Sequence, residues 1–478
     1  MNVPSTNFLL FAAVVATLFN LHRALIWRQA VLLLANLLFL ASFVGHPAEL
    51  IPYAAFLAAG FGLVQLVRRG IPSGPYVASI LVVLFAFFWL KQYTFLPSHI
   101  FVTSPYLIVG LSYVFFRVLH VVIDARYPEN VPPMNLFDYL NFTLNFTALS
   151  SGPIQRYEDY RRTAIETPLP LKATDIGRAL ERIVTGLFKI LVLAVLVGIV
   201  QRKLAYELVG DASWGQRIGL GMGLAALYPI YLYFNFSGYT DFVIGIARFL
   251  RIELPENFDR PFTAASFIDY WNRWHISLSN WLKTYVYSPL TMTMMRRVKS
   301  PKLLPYVGAL ALFVTFFLIG AWHGRTTKFL FFGLLNGLGV AVNQAYRITA
   351  TKWLGRKRFG ELSGSPVYLF VGRGVTFAWV SFTLLWFWSD WPRLSGFATA
   401  VGPSGIAIGW VLLPMVAAIV LGTLIRLRQI AQTPIRDGTS VLNSRYFRTA
   451  CLSAMFVLIL LVQGVMNAAP PEIVYKEF

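Results

Sequence analysis

Long apolar runs alternate along the chain with short segments rich in polar and basic residues. A bilayer core about 30 Å thick requires about 20 apolar residues per helix, because every backbone amide must be satisfied within its own segment. Twelve runs meet or approach this length: 6–21, 29–45, 50–67, 76–96, 100–117, 183–201, 217–235, 305–322, 329–346, 366–389, 405–425 and 449–467. The pattern predicts an all-α polytopic membrane protein with about 10–12 transmembrane helices.

The basic residues between these runs predict an orientation. If the amino terminus lies outside, most lysines and arginines fall in segments on the cytoplasmic side, such as 117–182 and 248–302. This asymmetry is typical of inner loops. It requires that 236–304 begin and end on the cytoplasmic side. The first run lacks a small-residue cleavage site after a basic start, so we interpret it as a retained anchor.

Composition supports the membrane assignment. Hydrophobic residues make up 57% of the chain and charged residues 13%, whereas soluble domains carry about a quarter charged residues. The net charge of +20 does not indicate nucleic acid, because the basic residues separate apolar runs and do not form a continuous solvated arm. The single cysteine excludes an internal disulfide.

The segment 236–304 is too aromatic for a solvated loop and too polar for a simple span. An apolar set recurs at helical spacing with a polar set opposite: Trp271, Trp274, Leu278, Trp281, Leu282 and Tyr285 against Arg273, Ser277, Asn280 and Thr284. We predict an amphipathic or re-entrant helix, which implies a cavity beside it. A second candidate is 136–155, where Asn141, Asn145 and 150–153 interrupt an aromatic run.

Histidine is the natural candidate for chemistry at membrane depth. His22, His46, His99 and His120 are interpreted as surface or interfacial imidazoles. His323, in Gly320-Ala321-Trp322-His323-Gly324, ends an apolar run, where the glycines allow another chain or a ligand to approach closely. A partly desolvated neutral imidazole suits a general base, although a packed histidine bonded to a backbone carbonyl is the alternative.

His275 lies between Trp274 and Ile276, with Asn272 and Ser279 nearby on the helical net, and is equally ambiguous. The chain has no HExxH, no GxSxG, no Walker loop and no histidine followed five residues later by aspartate. These absences argue against a zincin-like metal site, a serine nucleophile and direct nucleotide hydrolysis. The two functions that remain for these histidines are group-transfer chemistry and transport.

Several motifs carry a family resemblance. They are the runs 233–242 (YFNFSGYTDF), 255–262 (PENFDRPF), 270–279 (YWNRWHISLS) and 151–157 (SGPIQRY), together with Trp322-His323-Gly324. The chain resembles the membrane-bound O-acyltransferase (MBOAT) superfamily, and is similar to its bacterial alginate O-acetyltransferase and teichoic acid D-alanyltransferase branch. The resemblance treats 1–478 as one integral-membrane domain, with a core at about 105–345, peripheral helices in 1–100 and C-terminal helices in 366–467.

The resemblance implies helices around a central tunnel in the cytoplasmic (inner) membrane, and no bound cofactor. The donor would be a cytoplasmic acyl thioester, either an acyl carrier protein or acetyl-CoA. The acceptor would be a hydroxyl on an extracytoplasmic polysaccharide or a relay acyltransferase. The family's near-invariant histidine maps onto His323, which would act as the base. Its second polar position maps onto His275, which would orient the thioester or stabilise oxyanion charge.

Other residues are assigned roles around this site. Trp274 and Trp322 are expected to wall the tunnel, and Asn272 and Ser279 to lie near the substrate. Asp241 and Arg273 could pair inside the cavity or form a structural ion pair that holds the helix.

Three questions stay open. The run Thr291 to Arg296 stands where alginate-type members often have Gly-Gly-Asn-Arg, whereas 151–153 and 271–273 lean towards the D-alanyl branch, so acetyl and D-alanyl both remain. A proton-coupled transporter with re-entrant segments is the alternative from another class. A catalytically inactive scaffold is disfavoured because both histidines are present.

Overall fold

The computed structural model describes residues 1–101, 106–127, 133–166, 168–432 and 444–466. Regular structure in these residues is helical, apart from an antiparallel bridge between Phe258 and Trp274. The chain divides into two compact units, of which the first contains Met1–Leu187 and Phe236–Glu256. The second contains Phe188–Asn235 and the described residues from Asn257 onward.

The described residues up to 188 form eight α-helices, and side-chain caps begin some of them. Ser5 Oγ accepts a hydrogen bond from the Phe8 amide at 3.1 Å, and Asn135 Oδ1 accepts one from the Asp138 amide at 2.8 Å. The helices are α1 Thr6–Leu21, α2 Leu25–Ala41, α3 Ile51–Arg68, α4 Ser73–Lys91, α5 Leu111–Asp124, α6 Leu136–Thr143, α7 Tyr157–Tyr160 and α8 Ala173–Phe188.

The later helices include the longest in the molecule. They are α9 Val195–Leu208, α10 Trp214–Phe249, α11 Phe267–Arg273, α12 Ile276–Leu282, α13 Ser288–Arg297, α14 Val307–His323, α15 Thr327–Gly364, α16 Pro366–Thr383, α17 Leu385–Trp388, α18 Trp391–Gln432 and α19 Arg445–Met466. α15 and α18 break at Gly355 and Gly402, where φ is +79° and +73°, a region that glycine enters without steric cost. π-helical turns occupy Arg161–Glu166, Lys189–Ala194 and Lys283–Tyr287.

Within the described residues, nine helical segments are long and apolar enough to cross a membrane. α1 and α2 are shorter apolar helices. Together they match eleven of the twelve predicted runs, and the chain is an all-α polytopic membrane protein. The run 100–117 is the exception, because the described helix there begins only at Leu111, after Gly110 with φ at +73°. A Cβ at Gly110 would lie 2.7 Å from the Leu149 carbonyl oxygen.

α10 extends beyond its predicted end at residue 235. The helix continues to Phe249 and therefore carries the whole motif 233–242. The polar residues Ser237 and Thr240 in this extension are buried, as is Tyr239. The Tyr239 hydroxyl hydrogen-bonds the Ser150 hydroxyl at 2.8 Å. The polar residues here mark internal contacts within the first unit.

The second interrupted segment, 136–155, is helical only in α6. The residues that follow are irregular and buried, so their backbone groups need internal partners. Arg117 on α5, 2% exposed, donates to the carbonyls of Thr143 and Ala148 at 2.8 and 2.7 Å. Asn36 Oδ1 accepts from the Phe146 amide at 2.8 Å. A buried guanidinium and a buried amide thus hold this segment.

Candidate active site

His323 is the last residue of α14, and its side chain is 1% exposed. α14 continues the apolar run from Val307 and ends before Gly324, whose backbone is extended. Three aromatic rings surround the imidazole, with centroid distances of 4.7 Å to Trp322, 5.1 Å to Phe387 and 5.7 Å to Phe332. α14, α15 and α17 therefore position this imidazole together.

Glycines bring α15 close to the end of α14. A Cβ added at Gly333 would lie 2.6 Å from the Phe317 carbonyl oxygen and 2.9 Å from Gly320 Cα. A side chain at Gly324 would overlap the Phe329 ring. The close approach that the sequence predicted around His323 is made by α15.

His275 lies between α11 and α12, where the sequence predicted one continuous helix. That prediction is wrong, because His275 has φ of +47° and ψ of +53°, in the left-handed region. Its carbonyl nevertheless accepts the first hydrogen bond of α12, from the Ser279 amide at 3.0 Å. The side chain is 1% exposed. The predicted apolar face is otherwise largely buried, including Trp271, Leu278 and Trp281.

The two candidate imidazoles share one neighbour. The Trp322 ring lies 6.4 Å from the His275 ring and 4.7 Å from the His323 ring, measured between centroids. Both histidines and this indole belong to the second unit. Burial lowers the pKa of His275 to about 3, so its ring is neutral near pH 7. A neutral imidazole can donate from one nitrogen and accept at the other.

Asn257, which belongs to the motif 255–262, lies beside the backbone that follows His275. Its side chain is fully buried, and its Oδ1 accepts from the Ser277 amide at 3.1 Å. Its carbonyl accepts from the Ile276 amide at 3.0 Å. Asn257 therefore binds the backbone immediately after His275. Its two backbone partners lie 19 and 20 positions later and give no local periodic signal, although an asparagine between Glu256 and Phe258 was a visible cue.

Three other predicted substrate-binding residues take different positions. Trp274 is buried and stacks on Tyr270 at 5.6 Å between centroids. The half-buried Ser279 donates its hydroxyl to the carbonyls of Trp271 and Trp274 at 3.0 and 3.4 Å, which braces the turn around His275. Asn272 is exposed near the end of α11.

Asp241 and Arg273, suggested as a pair, each bind another partner within their own unit. Arg182 on α8 binds Asp241 at 3.0 Å and Glu256 at 2.6 Å, all within the first unit. Arg273 binds Asp269, four residues earlier on α11, at 2.9 Å. A partner one helical turn away needs no tertiary arrangement, which accounts for the local pairing of Arg273.

The remaining histidines divide into two groups. His22, His46 and His99 are exposed, as predicted. His120 is fully buried, so its interpretation as a surface or interfacial imidazole is wrong. Its Nε2 accepts from the Tyr157 amide at 3.1 Å, and its Nδ1 lies 3.0 Å from the Phe116 carbonyl oxygen. His120 thus joins α5 to α7 as a structural residue.

An apolar cavity of about 340 Å³ lies within the second unit. Residues from α10, α16, α17 and α18 line it, among them Leu224, Phe382, Trp386, Phe397 and Trp410. Its lining in the described chain includes neither candidate histidine. α17 connects the two regions, because Trp386 faces the cavity and the next residue, Phe387, packs against His323.

These observations define a polytopic helical membrane protein with two buried imidazoles around one indole. The sequence model of the MBOAT (membrane-bound O-acyltransferase) family matches residues 76–385. This range includes both histidines. The chain belongs to this family.

Two groups of curated relatives are similar to this chain. A teichoic acid D-alanyltransferase from Lacticaseibacillus rhamnosus is 29% identical over 244 residues, which are 50% of this chain and 59% of the relative. One from Bacillus subtilis is 29% identical over 272 residues, 55% of this chain and 66% of the relative. A probable alginate O-acetylase AlgI from Pseudomonas syringae pv. tomato is 30% identical over 249 residues, 52% of this chain and 44% of the relative. Each match spans less than two thirds of the relative.

Proposed function

We propose that the protein is an O-acyltransferase of the inner membrane. It moves a short acyl group, acetyl or D-alanyl, from a cytoplasmic thioester to a hydroxyl on an extracytoplasmic polysaccharide or relay protein. Family membership and the names of relatives from both groups support acyl transfer. The observation that carries the proposal is the placement of two buried imidazoles beside Trp322.

In this mechanism His323 accepts the proton of the acceptor hydroxyl as its oxygen attacks the thioester carbonyl. The carbon–sulfur bond then breaks, and the proton passes to the leaving thiolate. General base catalysis of this kind contributes about 10²- to 10⁴-fold in rate. The aromatic rings around His323 exclude water, which protects the thioester from hydrolysis.

His275 donates a hydrogen bond to the carbonyl oxygen as negative charge develops there. Its lowered pKa keeps the ring neutral, so one ring nitrogen carries a hydrogen and the other does not. Removal of one such donor reduces kcat by about 10²- to 10³-fold. The αL backbone, fixed by Asn257, sets the direction of this ring.

The donor is an acyl carrier protein or acetyl-CoA. Both carry negative charge, which suits the basic segments predicted on the cytoplasmic side. No cofactor is needed, because the thioester itself supplies the activated acyl group.

The test uses inverted membrane vesicles that retain the envelope polymer. Radiolabelled acetyl-CoA and D-alanyl-carrier protein are supplied separately, and label in the polymer is measured. We expect His323→Ala to reduce transfer by at least about 10²-fold with normal insertion. The matched control is His99→Ala, which changes an exposed histidine and should retain wild-type transfer.

Near-normal transfer by His323→Ala would refute the proposal. Flux of an intact solute through the wild-type protein without acyl transfer would favour the transporter. The donor that is consumed also identifies the acyl group, which the sequence left open between acetyl and D-alanyl.

A further inference from the structure

A short stretch of backbone, 257–259, pairs in antiparallel fashion with the residues around His275. The Asp259 amide donates to the Arg273 carbonyl at 3.0 Å, Phe258 forms the bridge to Trp274, and the Ile276 amide donates to the Asn257 carbonyl at 3.0 Å. A non-glycine residue in the left-handed region is strained and persists only where its surroundings fix it. This pairing supplies that constraint on both sides of His275.

The Asn257 side chain extends the same contact. Its oxygen accepts from the Ser277 amide, one of the first amides of α12, which have no acceptor one turn earlier within the helix. Its nitrogen, Nδ2, is buried and has no hydrogen-bond partner among the residues that the structure describes. A buried amide donor without an acceptor costs free energy, so such a group points to a ligand that satisfies it.

We propose that Asn257 is an active-site residue, whose amide oxygen fixes the turn that presents His275 and whose Nδ2 donates to the carbonyl oxygen of the bound acyl thioester. The inference rests on the proposed function. When the acceptor oxygen adds to the carbonyl carbon, the carbonyl oxygen becomes negative and the hydrogen bond from Nδ2 strengthens. No proton leaves the amide. As the carbon–sulfur bond breaks, the carbonyl reforms and the bond weakens again.

Asn257→Asp separates the two roles. The new carboxylate keeps an oxygen for the Ser277 amide but loses the N–H donor when ionised. In the vesicle assay, with whichever of acetyl-CoA and D-alanyl-carrier protein is turned over, we expect kcat to fall by about 10²- to 10³-fold. KM should change much less, because the lost hydrogen bond acts mainly in the transition state.

The pH profile distinguishes a donor from a structural residue. Burial raises the pKa of a carboxyl group. When the group is protonated, its hydroxyl can donate a hydrogen bond. The ratio of Asn257→Asp to wild-type rates should therefore rise as pH falls, at unchanged amounts of folded protein. Asn141→Asp is the control for burying a carboxyl group, because Asn141 is fully buried with its Oδ1 bonded to Asn36 and its Nδ2 to the Gln29 carbonyl.

Wild-type kcat in Asn257→Asp would overturn the assignment, as would a rate loss that equals the loss of folded protein. If Asn257→Asp fails to fold, the neutral and smaller Asn257→Ser replaces it. We expect a fall in kcat of about tenfold or more for that variant, and an unchanged kcat would overturn the assignment. Failure of the wild-type protein to turn over either donor would overturn the proposed function itself, whereas an active wild type with a fully active variant overturns this inference alone.

Discussion

At the scale of single residues, the burial of His275 links protonation to folding. Its pKa falls from the ordinary value of 6.5 to about 3 because the charged ring would lose its hydration. The unfolded chain thus binds a proton between these two values and the native protein does not. Stability contributed by the neutral ring is complete above pH about 6.5 and declines as the pH falls towards 3.

We therefore expect acid to destabilise the wild-type protein more steeply than a His275→Gln variant. The difference reaches at most about 1.4 kcal/mol per pH unit in that window. The measurement is the unfolding temperature in detergent across pH 4 to 7, with His99→Gln as the control for an exposed histidine. Parallel pH dependence of the wild type and His275→Gln would contradict the buried, neutral imidazole.

At the scale of elements, the crossing of α14 and α15 depends on glycine. Gly333 faces the backbone of α14, and a Cβ there would lie 2.6 Å from the Phe317 carbonyl oxygen. Small residues allow membrane helices to pack at this distance. Because His323 ends α14 and Phe332 on α15 packs against it, this crossing also sets the position of the proposed base.

Two alanine substitutions on α15 should have opposite effects. Gly333→Ala should destabilise the protein by about 1–3 kcal/mol, because the added methyl forces the helices apart. Gly360→Ala, where a Cβ meets no atom within 4 Å, should be neutral or stabilise by up to about 1 kcal/mol through helix propensity. Thermal unfolding of the two variants gives the comparison. Equal effects would show that the crossing tolerates a side chain.

Helices whose apolar runs match the bilayer could be predicted well from the sequence, such as α3, α4 and α14. The break at His275 could not, because the helical spacing of its aromatic neighbours continues through it. The break is imposed by pairing with 257–259, a tertiary contact that local periodicity does not contain. The extension of α10 was missed for a related reason, since polar residues such as Ser237 are buried inside protein and do not mark a membrane surface.

The candidate site shows the same division. His275 and His323 could be chosen as candidates because an imidazole in an apolar context is chemically conspicuous. Asn257 was not among the predicted site residues, because its contacts to Ile276 and Ser277 appear only once the chain is folded. Charge complementarity alone did not choose among the partners available to Asp241 and Arg273. Arg182 binds Asp241, and Asp269 binds Arg273.

At the scale of the whole molecule, the distribution of basic residues predicts which side of the membrane each loop faces. α4 offers a direct test, since it has an exposed serine at its start, Ser73, and another, Ser98, in the loop beyond its end. Arg68 ends α3 and Arg69 begins the loop before α4, so this loop is expected inside.

In a Cys451→Ser background, which removes the single cysteine, each serine is replaced by cysteine in turn. A membrane-impermeant maleimide should label Ser98→Cys in intact cells and Ser73→Cys only after lysis. The two positions control for each other, because they flank one helix and carry the same substitution. The reverse labelling pattern would show the opposite orientation, in which the segments predicted to meet the cytoplasmic thioester donor lie outside.

The left-handed backbone at His275 also bears on protein engineering. Glycine adopts that conformation without the steric cost of a Cβ, so an alanine or any larger residue there is at a disadvantage of about 1–2 kcal/mol. His275→Gly would relieve this strain but would also empty the space of a buried imidazole, so its two effects on stability oppose each other. A stability screen that accepted such a variant would discard the imidazole on which the proposed transfer depends, so selection at this position must include a turnover readout.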